Sequence, residues 1–236
     1  MRNFLISGLL ATSFLSPSLA LAQAHIHEGD VQPSIVAGKI TLPSSQSIAA
    51  NGYSLFEGDF GDLIKGPYKT TSPGFNTFAF AANTVVNYTA VGPVSFWNGS
   101  SWTNTVPSNE YVLLEGNLGE ETKWTSAGPT GDVSGLLGQA SSDDHELHEH
   151  VAFSVASATG GTPSVGAYLI GLTLSADGYA TSDPFYLVFN RGLASANFEA
   201  SVSALTTPVP EPSSLALMLA GAAAMGAVAV KRRSQA

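Results

Sequence analysis

The sequence contains no cysteine. That absence excludes a disulfide framework and any thiol chemistry. Charge is sparse as well: Asp, Glu, Lys and Arg make up 11% of the 236 residues. Cations are scarcest. Of nine Lys and Arg, Arg2, Lys231, Arg232 and Arg233 lie near the chain ends, which leaves five for residues 25–207 against 17 Asp and Glu. That stretch carries a net charge of −12 with neutral His. Phosphate recognition needs a basic face, so nucleic acid is not an expected partner. An acidic surface suits solubility outside the cell, or cations as counter-partners. Catalytic signatures are missing too. There is no His-Glu-x-x-His, no Gly-x-Ser-x-Gly and no phosphate loop. No 12-residue calcium loop surrounds Asp177, Asp183 or Glu199, which read as turn residues. The expectation is a protein that is not an enzyme.

Long apolar runs occur only at the two ends. At the N-terminus, Arg2 is followed by an apolar stretch over 4–15, a break at Pro17 and small residues. This is the pattern of a secretory signal, expected over 1–24. Two cuts fit, after Ala22 and after Ala24. At the C-terminus, Val209, Pro210, Glu211, Pro212, Ser213 and Ser214 precede an unbroken small and apolar run over 215–230, then Lys231, Arg232 and Arg233. Sixteen residues of helix span about 24 Å at 1.5 Å per residue, short against a hydrocarbon core of about 30 Å. Snorkelling cations or local thinning accommodate the difference. The positive-inside rule keeps the three cations cytoplasmic and puts Pro210, Glu211 and Pro212 on the outer side.

This tail resembles the PEP-CTERM sorting signal of Gram-negative bacteria. The resemblance implies processing by an exosortase-type membrane protease, a transient inner-membrane anchor through 215–230, and delivery to the envelope, surface or matrix. Three segments result: a signal at 1–24, a body at 25–207 and a sorting tail at 208–236.

The body is long enough for one domain, burying roughly 70% of its unfolded surface without staples. Its apolar runs are short, β-branched and aromatic, and are punctuated by Gly, Pro, Asn and Ser. That pattern predicts strands over 34–40, 52–57, 75–81, 85–91, 94–97, 111–115, 150–156, 167–175, 185–190 and 196–204. Asn98-Gly99 predicts a type I′ hairpin between 94–97 and 102–105. Residues 134–140 fit one or two helical turns. The fold class expected is all-β, a single β-sandwich of jelly-roll or immunoglobulin-like type. Trp97, Trp102 and Trp124, with Tyr88 and Tyr111, read as packing residues.

All five histidines fall in two clusters: His25 and His27, and His145, His148 and His150. On a strand His148 and His150 point to one face. Imidazole is the commonest neutral ligand of Zn, Cu and Ni. Asp143, Asp144, Glu146 and Glu149 can add oxygen ligands or hold the second ring nitrogen. The candidate metal ligands are therefore His25, His27, His145, His148, His150, Asp144 and Glu149. Either signal cut leaves a histidine at position three, a nitrogen set suited to copper or nickel. A cut before His25 also leaves the terminus of a copper brace, which His148 or His150 would complete.

The His-x-His start, the acidic histidine loop running into Val151-Ala152-Phe153, then Gly166 to Ile170 and Ser182 to Asn190 resemble an exported PEP-CTERM family repressed by the zinc-uptake regulator. That resemblance implies zinc as the metal and a role in its supply or storage. The alternative reading is a structural surface protein associated with exopolysaccharide.

Overall fold

A computed structural model describes residues 29–61 and 66–207. The signal segment, His25, His27, the sorting motif and the expected membrane span lie outside the described residues. In chain order the strands are β1 (Ser34–Val36), β2 (Lys39–Thr41), β3 (Gln46–Ser47), β4 (Ser54–Asp59), β5 (Lys69–Thr70) and β6 (Phe75–Thr77). They continue as β7 (Val85–Trp97), β8 (Trp102–Thr103), β9 (Glu110–Glu115), β10 (Glu121–Thr125) and β11 (Gly128–Gly131). The last are β12 (Ser134–Gln139), β13 (Leu147–Glu149), β14 (Ala152–Ser157), β15 (Gly166–Ala176) and β16 (Phe185–Arg191), followed by the helix α1 (Ser195–Thr206).

Two sheets carry most of the chain. One runs β11-β10-β9-β14-β5, and the other β12-β7-β15-β16-β4-β3 with β8 added to β7. The β16–β4 pairing is parallel. The sheets share one core: Val112, Leu114, Trp124 and Phe153 of the first join Tyr88, Tyr168, Leu172 and Phe189 of the second. Polar bonds cross the same core. Trp124 Nε1 donates to Gly171 O at 3.1 Å, and the hydroxyls of Tyr88 and Thr122 meet at 2.9 Å. Buried polar groups with good partners fix how two apolar faces sit on each other.

Three local expectations change. Residues 196–204 form not a strand but most of α1. Phe198, Val202 and Leu205 recur at helical spacing and pack on Leu55, Trp97, Leu169 and Val188, the outer face of the larger sheet. A helix buries that stripe on one side, where an extended chain would split it between two faces. Residues 134–139 are the strand β12 rather than helical turns, because β7 offers an edge to pair with. The hairpin after Trp97 turns at Gly99-Ser100. Gly99 takes φ of +100°, while Asn98 instead accepts the Ser100 and Ser101 amides on Oδ1. Asn98 thus serves as a side-chain cap of the turn.

Among the described residues, no helix is long and apolar enough to cross a membrane.

Candidate metal centre

A smaller sheet lies over the edge of the shared core. β13 pairs antiparallel with β6, setting His148 opposite Asn76 and Glu149 opposite Phe75. Val31 adds a parallel bridge on the far side of β6. Its amide donates to Gly74 O at 2.9 Å, and the Asn76 amide donates to Val31 O at 3.0 Å. Val31, Phe75 and Leu147 are fully buried and anchor this sheet in the core. The anchoring explains the placement of everything polar around it. Leu147 must face inward, so the strand alternation turns His148 and His150 the other way, together.

Three side chains converge there. Ligand atoms of Asp30, His148 and His150 all lie within 4.8 Å of one another. The two imidazoles present Nε2 to each other at 3.1 Å. Ligand atoms on a tetrahedral zinc ion, with bonds of 2.0–2.1 Å, stand about 3.3 Å apart, so the spacing fits one shared ion. The His150 ring is held from behind by a hydrogen bond, whereas the His148 ring has a carboxylate nearby. His150 Nδ1 contacts Thr71 O at 3.0 Å, and that carbonyl fixes the tautomer with the proton on Nδ1. His148 Nδ1 lies 3.8 Å from a Glu146 carboxylate oxygen. Backing of histidine ligands by carbonyls and carboxylates is a regular feature of metal sites.

Asp30 completes the group from the N-terminal segment. It is 8% exposed. Its Oδ1 accepts the Gly74 amide at 2.8 Å, while its buried Oδ2 has no hydrogen-bond partner among the described residues. A buried carboxylate oxygen without a donor is costly, and a cation is the natural remedy. Gly74 makes the approach possible. A Cβ there would fall 2.5 Å from His150 Cε1 and 3.0 Å from Asp30 Oδ1.

The remaining expected ligands stand elsewhere. Glu149 faces the opposite side of β13 from the histidines. It accepts a hydrogen bond from Asn117 Nδ2 at 3.0 Å and packs over Gly138, where a Cβ would fall 2.3 Å from its Cγ. Burial pushes its carboxyl above the usual range, against the Asn117 hydrogen bond and the two imidazoles. Asp144 closes a turn. Its Oδ1 accepts the Glu146 amide at 3.0 Å, and hydrogen bonding with Ser141 and Glu146 holds its carboxyl below the usual range. His145 is exposed in that turn at φ +67°. The structure thus joins His148 and His150 and leaves His145, Asp144 and Glu149 apart. His25 and His27 lie outside the described residues.

Asp30, Gly74 and Thr71 are absent from the sequence reading. Asp30 is one of 17 acids in the body, and its partner strand lies 44 residues away. Only the pairing of Val31 with β6 reveals it.

The aromatic residues are in the packing. Trp124 is fully buried, Trp97 leans on Trp102 with ring centroids 5.8 Å apart, and Trp102 Nε1 donates to Ser201 O at 2.9 Å.

Residues 208–233 match the family of the PEP-CTERM protein-sorting motif. The match covers the tail alone and so speaks to route, not chemistry. It implies export, processing by an exosortase membrane protein and membrane-associated sorting to the cell envelope. Comparison with curated proteins and with solved structures finds no match.

Proposed function

We propose that the exported body binds a divalent transition metal through Asp30, His148 and His150, and that it serves metal supply or storage at the envelope rather than catalysis. One observation carries this reading. A buried carboxylate oxygen that has no donor among the described residues sits beside two imidazoles whose Nε2 atoms are 3.1 Å apart. Two imidazoles and one carboxylate suit zinc first among common metals, since Ca²⁺ and Mg²⁺ prefer all-oxygen sets. The resemblance to the zinc-regulated export family points the same way, as does the acidic body, which concentrates cations. Copper or nickel at a third-position histidine is a separate, terminal mode of binding.

Elemental analysis of the exported protein tests the reading. About one zinc per chain is expected, and less than a tenth of that when His148 and His150 are both replaced by Ala. Equal metal content in the two proteins contradicts it.

A further inference from the structure

The two imidazoles of the centre cannot carry their protons alike. His150 donates from Nδ1 to Thr71 O at 3.0 Å, so its Nε2 is a bare lone pair. His148 Nε2 lies 3.1 Å from that lone pair and therefore donates to it. A neutral imidazole has one proton, so His148 Nδ1 is bare in its turn. That nitrogen faces a carboxylate. Glu146 Oε1 stands 3.8 Å away, beyond hydrogen-bond distance, and is buried with no hydrogen-bond partner among the described residues. Two acceptors thus meet with no proton between them. The backbone holds Glu146 in this position. Its amide donates to Asp144 Oδ1 at 3.0 Å, and its carbonyl accepts the Ser141 amide at 2.8 Å. It lies two residues before His148, so strand alternation turns both side chains the same way.

We infer that metal binding moves the His148 proton from Nε2 to Nδ1 and that Glu146 accepts it there as a hydrogen bond, which makes Glu146 the positioning residue of this ligand. This inference rests on the metal reading above. An ion shared by both Nε2 atoms needs a lone pair on each. His150 already offers one. His148 gains one only by the shift: the Nε2–H bond breaks, an Nδ1–H bond forms by exchange through solvent, and the ring stays neutral. The new donor then points at a carboxylate oxygen that lacks one. Hydrogen bonds to an ionised acceptor are shorter and stronger than neutral ones, so the 3.8 Å gap closes when the site fills. The two rings therefore differ in kind. His150 is oriented before the metal arrives, and His148 is oriented by its arrival.

Nitrogen-15 NMR of the histidine rings and zinc titration of the exported protein test it, at about pH 8, where an ordinary imidazole is neutral. Spectra of His148→Ala and His150→Ala assign the signals. Without zinc, His148 is expected to carry its proton on Nε2 and His150 on Nδ1. With one equivalent of zinc, both rings are expected to carry it on Nδ1. Glu146→Gln keeps the shape of the side chain but offers a weaker acceptor, and is expected to bind zinc at least tenfold more weakly. Asp143→Asn changes an acid of the same turn that bonds Ser142 instead, and is expected to stay within twofold of wild type. A proton on Nδ1 of His148 in the zinc-free protein, a Glu146→Gln affinity within twofold of wild type, or a loss in Asp143→Asn as large as in Glu146→Gln overturns the inference and leaves the Asp30–His148–His150 site standing. Failure of the wild type to bind zinc at all overturns the metal reading itself.

Discussion

Gly74 and His150 occupy one space: a side chain at Gly74 would put its Cβ 2.5 Å from Cε1 and 2.6 Å from Nδ1 of the His150 ring. The contact is below any real carbon–carbon approach. The ring is also tied to Thr71 O, so it has little room to retreat. Gly74→Ala is therefore expected to displace His150 without removing any ligand. Zinc affinity should fall at least tenfold, as when outer-shell support of a ligand is lost. Calorimetric titration of the two proteins checks this, with circular dichroism confirming that the sheets persist. An unchanged affinity would mean that His150 is not held where a metal needs it.

Asp30 separates stability from binding. Its Oδ2 is buried without a donor among the described residues, a situation that costs about 1–3 kcal/mol in the metal-depleted protein. Asp30→Asn keeps the oxygen that accepts the Gly74 amide and replaces the other with a donor. Without metal the variant should melt at the same temperature as wild type or higher. With zinc at a hundredfold its wild-type dissociation constant, wild type should gain about 2.7 kcal/mol, and the variant a small fraction of it. Melting curves with and without chelator read both effects. A variant less stable than wild type under chelator would indicate that Asp30 serves packing rather than a cation.

The two halves of this site differ in how far the sequence reveals them. His148 and His150 share a face because they are two apart on a strand, and that much is visible in the letters alone. Asp30 joins them through Val31 and Phe75, a parallel bridge across 44 residues that no local pattern announces. Glu149 looks equivalent to its neighbours in the sequence, yet the same alternation that unites the histidines sends it to the opposite side. The helix α1 hides for another reason. Glu199, Ala200, Ser201, Ser203 and Ala204 separate Phe198, Val202 and Leu205, and these mostly small residues fit a strand as well as a helix until the outer face of the larger sheet claims the stripe. β12, with Leu136 and Leu137 between glycines, has no period of its own and takes its conformation from β7. The strands of strong β-branched and aromatic character, such as β15 and β16, are legible almost to their ends, whereas their order in the sheet is not.

Away from the metal centre, the buried Glu110 is a second polar anchor. One oxygen accepts from the Ser164 amide and hydroxyl, both at 2.9 Å, and the other accepts the Tyr168 hydroxyl. Tyr168→Phe removes that last donor and should cost about 1.5–3 kcal/mol in denaturant melts. The same contact shapes alkaline behaviour. Burial first, and then the Glu110 carboxyl, push the Tyr168 hydroxyl well above the usual tyrosine range. A raised folded-state value stabilises the protein in full below the unfolded-state value of about 10, and that stability is lost as pH climbs from there toward the folded value. Wild type should therefore lose stability above about pH 10 more steeply than Tyr168→Phe. Parallel slopes for the two proteins would contradict the linkage.

The sorting tail gives a prediction about route. Replacing Pro210, Glu211 and Pro212 by Ala removes the motif while leaving 215–230 apolar. The variant should accumulate in the membrane fraction at a mass that retains residues to Ala236, whereas the parent protein leaves that fraction in shorter form. Mass spectrometry of both fractions decides it. Identical masses and distribution would show that the motif is not read in this protein.

The most direct measurement is calorimetric titration of zinc into the exported protein and into its Asp30→Asn, His148→Ala and His150→Ala variants. One equivalent bound with a dissociation constant below about 10 μM (about −7 kcal/mol), weakened at least tenfold by each substitution, is the predicted result. Zinc binding that survives all three substitutions unchanged, or no binding by the parent protein, contradicts the account.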